Sequence, residues 1–278
     1  MKRSLCIILI LCVLCGCAAQ IHEYADSKMI SEKIETVEGC FEKHAKEIRD
    51  AETSKKEAEA NRSKLHPIWI NMTGKKPKNP IDFATLQNQN PDIYAYIEIP
   101  KLNISYPIYQ SEPGTDKNFY LHHNINREYT FSGTIYTQWD YNSKDFTDPV
   151  TLIYGHNMLD GTMFSNLQDL LDWDTFSECR HVQIFLPEKV LIYEIVSAFQ
   201  FDKRHVLYTY DCTDKEQFQT YINFFTNPPT GWNQYMDDAE VTTNDTIVTL
   251  STCLEHGASR LLVQCKLIDE IELSPYQE

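Results

Sequence analysis

TIVTLSTC, residues 246–253, is apolar, rich in β-branched residues and ends on a cysteine. Such a run reads as a buried strand, with Cys253 at its exit. A short link, LEHGAS (254–259), leads to RLLVQCKLI (260–268). Here Leu261, Val263, Cys265 and Leu267 alternate onto one face, which the pattern assigns to the core. Arg260, Gln264 and Lys266 share the other face, expected to be polar. Cys265 is thus expected to be a structural thiol. Arg260 is expected to point away from the core, close to where Cys253 ends its own strand.

The same texture extends backwards to about residue 81. IYAYIEI, ISYPIYQ, FSGTIYTQW, VTLIYGH, VQIFL and VLIYEIVSAFQF are short β-rich runs separated by turn residues. Eight such runs predict a closed barrel or a sandwich. One helix is expected among them. Asp214 or Thr213 can cap KEQFQTYINFF (215–225), which places Phe218, Tyr221, Ile222 and Phe225 on one face. Glycine-rich phosphate loops are absent from the sequence, so nucleotide chemistry has no support.

Before residue 81 the composition differs. Residues 22 to about 65 are rich in Glu, Lys and Ala, with Ile30, Ile34, Val37, Phe41 and Ile48 at helical spacing. They read as a helical stalk, ended by the breaker cluster NMTGKKPKNP (71–80). Residues 1–21 have a basic start, MKR, and then the apolar run SLCIILILCVLCG, the layout of an export signal. From Leu5 to Ala19 the apolar span is roughly 22 Å as a helix, short of the roughly 30 Å of a bilayer core. Leu14-Cys15-Gly16-Cys17 also resembles a bacterial lipobox with Cys17 as the lipidated residue. A lipoprotein and an uncleaved signal anchor both remain open. Either places the rest of the chain on the extracytoplasmic face of the membrane, held by its N-terminus.

The chain of 278 residues carries 25 basic and 40 acidic side chains, a formal charge of −15. Nucleic acid is excluded as a partner, because phosphate binding needs a basic face. Five of the nine cysteines, Cys40, Cys179, Cys212, Cys253 and Cys265, lie beyond the leader. An odd number leaves at least one thiol without an intramolecular partner. Their irregular spacing argues against a disulfide scaffold. Cys253 and His256 alone make a poor metal site, and no metal is assigned.

A cysteine on a strand is most often an inert buried thiol. It becomes a nucleophile when a base or cation stands beside it. Among nine histidines, His156 differs: VTLIYGHNM places it just past a buried strand, after a glycine that permits a sharp turn. It is a candidate partner for Cys253, distant in sequence and close in space. Arg260 is a candidate cation for a developing oxyanion.

Together, TLSTC, the upstream YGHN and the downstream arginine resemble the sortase family, the cysteine transpeptidases of Gram-positive surfaces. DFATLQNQNPDIYAYIEIPKLNISYPIYQ, FYLHHN, FSGTIYTQWDY, TLIYGHNM and GTMFSNL are similar to class B. The resemblance covers roughly residues 80 to 270. It implies a mostly β fold, a closed eight-stranded barrel over 81–278 with N-terminal helices and a helix between the sixth and seventh strands. It implies Cys253 as nucleophile, His156 as acid/base and Arg260 as anion stabiliser. Tyr154, Ser251 and Thr252 match positions that line the substrate groove.

The implied partners are a surface protein bearing an NPxTG- or NPxTN-like sorting signal and an amine acceptor, from a peptidoglycan cross-bridge or a pilin lysine. No cofactor is implied. One departure is visible: the link from Cys253 to Arg260 is shorter than expected for class B, which bears on where Arg260 sits. A plain cysteine endopeptidase and a catalytically silent surface-binding module are the alternatives.

Overall fold

The computed structural model describes residues 76–228, 233–254 and 259–276. The leader, the lipobox at Cys17 and the stalk expected over 22–80 fall outside these residues, except for positions 76–80. Those five positions are bonded to the barrel. Asn79 N donates to Ser274 O at 2.8 Å, Ser274 N donates to Pro77 O at 2.7 Å, and Asn79 Nδ2 donates to Leu186 O.

The sheet has nine strands: β1 (Ile93–Ile99), β2 (Ile104–Tyr109), β3 (Ile135–Tyr136), β4 (Val150–Tyr154), β5 (His181–Leu186), β6 (Lys189–Phe201), β7 (Asn233–Tyr235), β8 (Ile247–Leu254) and β9 (Ser259–Glu272). Their order is β5-β1-β2-β3-β4-β8-β9-β6, and β6 pairs back onto β5. This is the closed eight-stranded barrel. β7 is an addition the sequence did not signal. It occupies the part of the β6 edge beyond the reach of β5, with Ser197 opposite Tyr235.

Closure demands bending, and β6 supplies it. Its pairing with β9 is interrupted between Ile192 and Tyr193 and again between Ile195 and Ser197. Extra residues of this kind increase local twist and let a sheet curl. The interior is then filled by Ile97, Ile184, Ile195, Leu250 and Val263, all fully buried.

Four α-helices lie among the described residues: α1 (Phe83–Gln89), α2 (Trp173–Glu178), α3 (Val206–Thr209) and α4 (Lys215–Thr226). α4 is the helix expected between the sixth strand and the next strand of the ring. Asp214 caps it, accepting from Glu216 N and Gln217 N, a contact of about 1 kcal/mol. Phe218, Tyr221, Ile222 and Phe225 are its buried face.

Two strand expectations change. FSGTIYTQW shrinks to Ile135–Tyr136, because the preceding segment turns at Gly133, whose φ is +54°. The supposed polar face of β9 is not solvated: Leu262 and Gln264 are buried, and Gln264 Oε1 accepts from Thr249 Oγ1 at 2.8 Å. Tyr221 of α4 bonds Thr249 from above, so the helix covers that face.

Candidate active site

β4 and β8 run parallel, and their register sets Tyr154 beside Ser251. Parallel strands need a long crossover, so segments far apart in sequence end at the same edge. β4 is buried along Val150–Ile153 and reads as a continuous apolar run, as such strands do. The chain leaving β4 carries Gly155 and His156 alongside Thr252 and Cys253. Gly155 N donates to Ser251 O at 3.1 Å, and Asn157 Nδ2 donates to Cys253 O at 2.9 Å. The turn bearing His156 is therefore bonded to the strand bearing Cys253 on both sides.

Gly155 serves this arrangement through its size. A Cβ there would fall 2.6 Å from both Ile135 Cδ1 and Phe164 Cδ2. Its φ lies outside the left-handed region, which corrects the expectation that the glycine serves a sharp turn.

β8 and β9 are antiparallel, with Cys253 directly opposite Arg260 and Ser251 opposite Leu262. Directly opposed side chains have Cβ atoms roughly 4.5–5.5 Å apart. The β8–β9 register thus keeps the arginine level with the thiol. Arg260 is half-buried, and its Nη1 donates to Ser259 O at 3.1 Å.

These residues line one groove of about 280 Å³, with Leu121, Tyr136, Gln138, Tyr154 and His205 among its walls. Ser251 shares the face of Cys253 by strand parity. Thr252 also borders the groove, but alternation turns its side chain to the opposite face, where its hydroxyl is buried.

The His156 ring is held by its surroundings. Nε2 lies 2.9 Å from Leu121 O. A carbonyl only accepts, so Nε2 carries the hydrogen and Nδ1 is the basic nitrogen of the neutral ring. Phe131 stacks on the ring at 5.8 Å and His122 lies at 5.4 Å. Burial pushes the ring below its ordinary pKa. The bond to Leu121 opposes this, while His122 and the Arg260 guanidinium push further down.

The thiols divide by environment. Cys179, Cys212 and Cys265 are buried, whereas Cys253 is half-buried on the groove. Burial pushes Cys179 up to about 11 and Cys212 up to about 12, and holds Cys265 well above the ordinary thiol value. Cys40 lies outside the described residues.

Several groove residues could not be picked out from the sequence. His205 Nε2 lies 2.7 Å from Gln138 Oε1 and 2.8 Å from Tyr154 OH. Gln138 Nε2 in turn donates to Asn118 Oδ1 at 2.7 Å. The amide oxygen can only accept, so His205 also holds its hydrogen on Nε2. This chain forms a polar wall beside Tyr154. The runs FYLHHN and TIYTQWDY lie in or beside it, but nothing local marks His205.

A barrel closed in this order, with a cysteine, a histidine and an arginine on one groove, defines a cysteine acyl-transfer enzyme. The chain belongs to the sortase family: the Sortase domain model matches residues 97–268. Its relatives place it in class B. It is 32% identical to Sortase B of Listeria monocytogenes over 196 residues, covering 67% of this chain and 74% of that one. It is 30% identical to Sortase B of Staphylococcus aureus over 189 residues, with the same coverage. The crystal structure of Clostridium perfringens sortase B superposes with a TM-score of 0.58 at 30% identity, covering 67% of this chain and 99% of that one. The protein is thus a cysteine transpeptidase of the sortase type.

Proposed function

We propose that the enzyme cleaves an NPxTG- or NPxTN-like sorting signal after its threonine and transfers the threonyl group to an amine of peptidoglycan or of a pilin. Cys253 is the nucleophile, His156 the acid/base and Arg260 the oxyanion partner. The observation that carries this reading is the direct cross-strand pairing of Cys253 with Arg260 on the groove that His156 also lines.

The chemistry runs through these three side chains. As Cys253 Sγ bonds to the threonine carbonyl carbon, its proton passes to Nδ1 of the neutral His156 ring. The oxygen gains negative charge, which the Arg260 guanidinium offsets. The C–N bond then breaks, and His156 returns the proton to the leaving amine. A thioester remains. An incoming amine attacks it, gives up a proton to His156, and the thiol is restored.

The sorting peptide lies in the groove with Tyr154 and Ser251 presenting side chains along it, and Thr252 borders it through its backbone. The enzyme acts outside the cytoplasm, tethered by residues 1–21. When a cleavable export signal replaces those residues, the chain is expected in the medium, with the full chain retained on membranes. Retention of both forms would remove the tether.

The deciding experiment incubates the enzyme with NPQTG- and NPQTN-containing peptides and a glycine-oligomer amine. A new amide, absent in Cys253→Ala, is the expected product. Free acid alone, whatever the amine concentration, would establish a plain endopeptidase instead.

A further inference from the structure

Six large hydrophobic side chains stand out from the surface of the described residues, and three of them touch His156, follow it in sequence or touch its neighbour His122. Tyr129 is 72% and Phe131 67% exposed, and Leu159 is fully exposed. Exposed apolar groups scattered singly are ordinary, but a cluster beside a reaction centre marks a contact surface. Phe131 stacks on His156 at 5.8 Å and Tyr129 lies against His122 at 5.9 Å. His122 and His156 are neighbours in turn. The four rings form one shelf, which meets the catalytic groove at His156.

The shelf is built rigidly. Thr130 N donates to His122 O at 2.9 Å and Thr134 N to Tyr120 O at 3.0 Å. Gly133 packs so closely that a Cβ would fall 2.2 Å from Leu121 O, the oxygen that orients His156. Leu159 lies on the loop leaving His156, closed by the Asn157–Met163 bridge and tied to Cys253 O by Asn157.

We propose that this shelf binds the amine-bearing peptide that resolves the acyl-enzyme. The inference rests on the transpeptidase reading of the site. His156 delivers the proton to the departing amine, so by microscopic reversibility the incoming amine arrives on the same side. Phe131 stacks on one face of the ring that handles this proton, so a peptide reaching His156 from outside passes close to it. A peptide laid across the rings buries apolar surface, and the neighbouring carboxylates Glu128 and Asp160 suit a partner that carries an ammonium group in solution. The same surface, once covered, excludes water from the thioester and favours amide over acid.

The test measures the partition of the acyl-enzyme. Tyr129→Ala combined with Leu159→Ala leaves the Phe131–His156 stack in place. With a glycine-oligomer acceptor below saturation, amide formation is expected to fall about tenfold, the loss of one good apolar contact. Hydrolysis without amine, and aminolysis by hydroxylamine, which is too small to need the shelf, are expected to hold. Equal losses with the oligomer, hydroxylamine and water would assign these residues to support of His156 and overturn the proposal. Unchanged partition would overturn it too. Failure of the unsubstituted enzyme to form amide with any amine would instead refute the transpeptidase reading, leaving the two ideas separable.

Discussion

Cys253 and Arg260 face each other across the β8–β9 pair, with Leu254 opposite Ser259 one step nearer the turn. In the proposed mechanism the Arg260 guanidinium offsets the charge that develops on the attacked carbonyl oxygen. Arg260→Ala is expected to lower kcat/KM by about 10²–10³, the usual cost of one lost oxyanion donor. Arg260→Lys is expected to recover little, since an ammonium offers a point charge and no planar fork. Steady-state cleavage of a sorting peptide checks both. Near-normal turnover in either variant would move the oxyanion role to backbone N–H groups.

The thiols should differ in native reactivity. Mass spectrometry after brief treatment with a thiol reagent is expected to find Cys253 modified and Cys179, Cys212 and Cys265 untouched, because burial holds those three protonated. Cys253→Ala should retain a melting temperature within a few degrees of the unsubstituted enzyme, as a half-exposed strand-end truncation does. Unfolding of that variant would give Cys253 a core role.

His156 must be neutral to take the thiol's proton. Its folded pKa lies below the ordinary value of about 6.5. The acid limb of kcat/KM is therefore expected below that value, with activity falling as pH drops and the ring fills. A limb above it would mean that the resting ring is charged and that the reaction starts from a thiolate.

Gly155→Ala tests whether space, not backbone freedom, is the constraint. The added methyl meets Ile135 and Phe164 at 2.6 Å, both in the core. Overpacking of this kind costs about 1–3 kcal/mol. The melting temperature should fall by roughly 2–4 °C per kcal/mol, and activity should fall further as the turn carrying His156 shifts. Phe164→Leu in the same chain should restore part of both; no rescue would point to a backbone cause.

His205 gives the barrel a predictable acid sensitivity. Burial, reinforced by the Lys117 ammonium and opposed by Asp140, lowers its pKa to about 4. The folded ring binds its proton less tightly than the unfolded ring. Its contribution to stability is thus present above about pH 6.5 and is lost as pH falls toward about 4. The dependence of melting temperature on pH across that window should flatten in His205→Gln. An unchanged slope would leave the acid sensitivity to other groups.

Much of this was legible from residues alone, for a physical reason. Strands buried on both sides, such as VTLIY and TIVTLSTC, advertise themselves as unbroken apolar runs, and the α4 face declares its period through Phe218, Tyr221, Ile222 and Phe225. Cys253, His156 and Arg260 stand at strand ends and were visible for that reason. The burial of Gln264 was not, because alternation gives the side a residue faces and not what covers that side. β7 is three residues long and pairs in the sheet with β6, too short to carry a period. His205 belongs to a wall assembled from Asn118, Gln138 and Tyr154, whose closeness is a property of the closed barrel.

The parallel seam between β4 and β8 also sets when the enzyme can first act. Its two halves are separated in the chain by β5, β6, α4 and β7, and β9 must still arrive to bring Arg260. Long-range pairings form late, since loop closure costs entropy before contacts offset it. A chain emerging N-terminus first presents His156 well before Cys253, and neither then has its partner. The β4–β8 seam brings His156 toward Cys253, and only the last strand brings Arg260 level with it. With the proposed roles of these residues, acyl transfer waits for the last strand, and catalytic competence becomes a readout of completed folding.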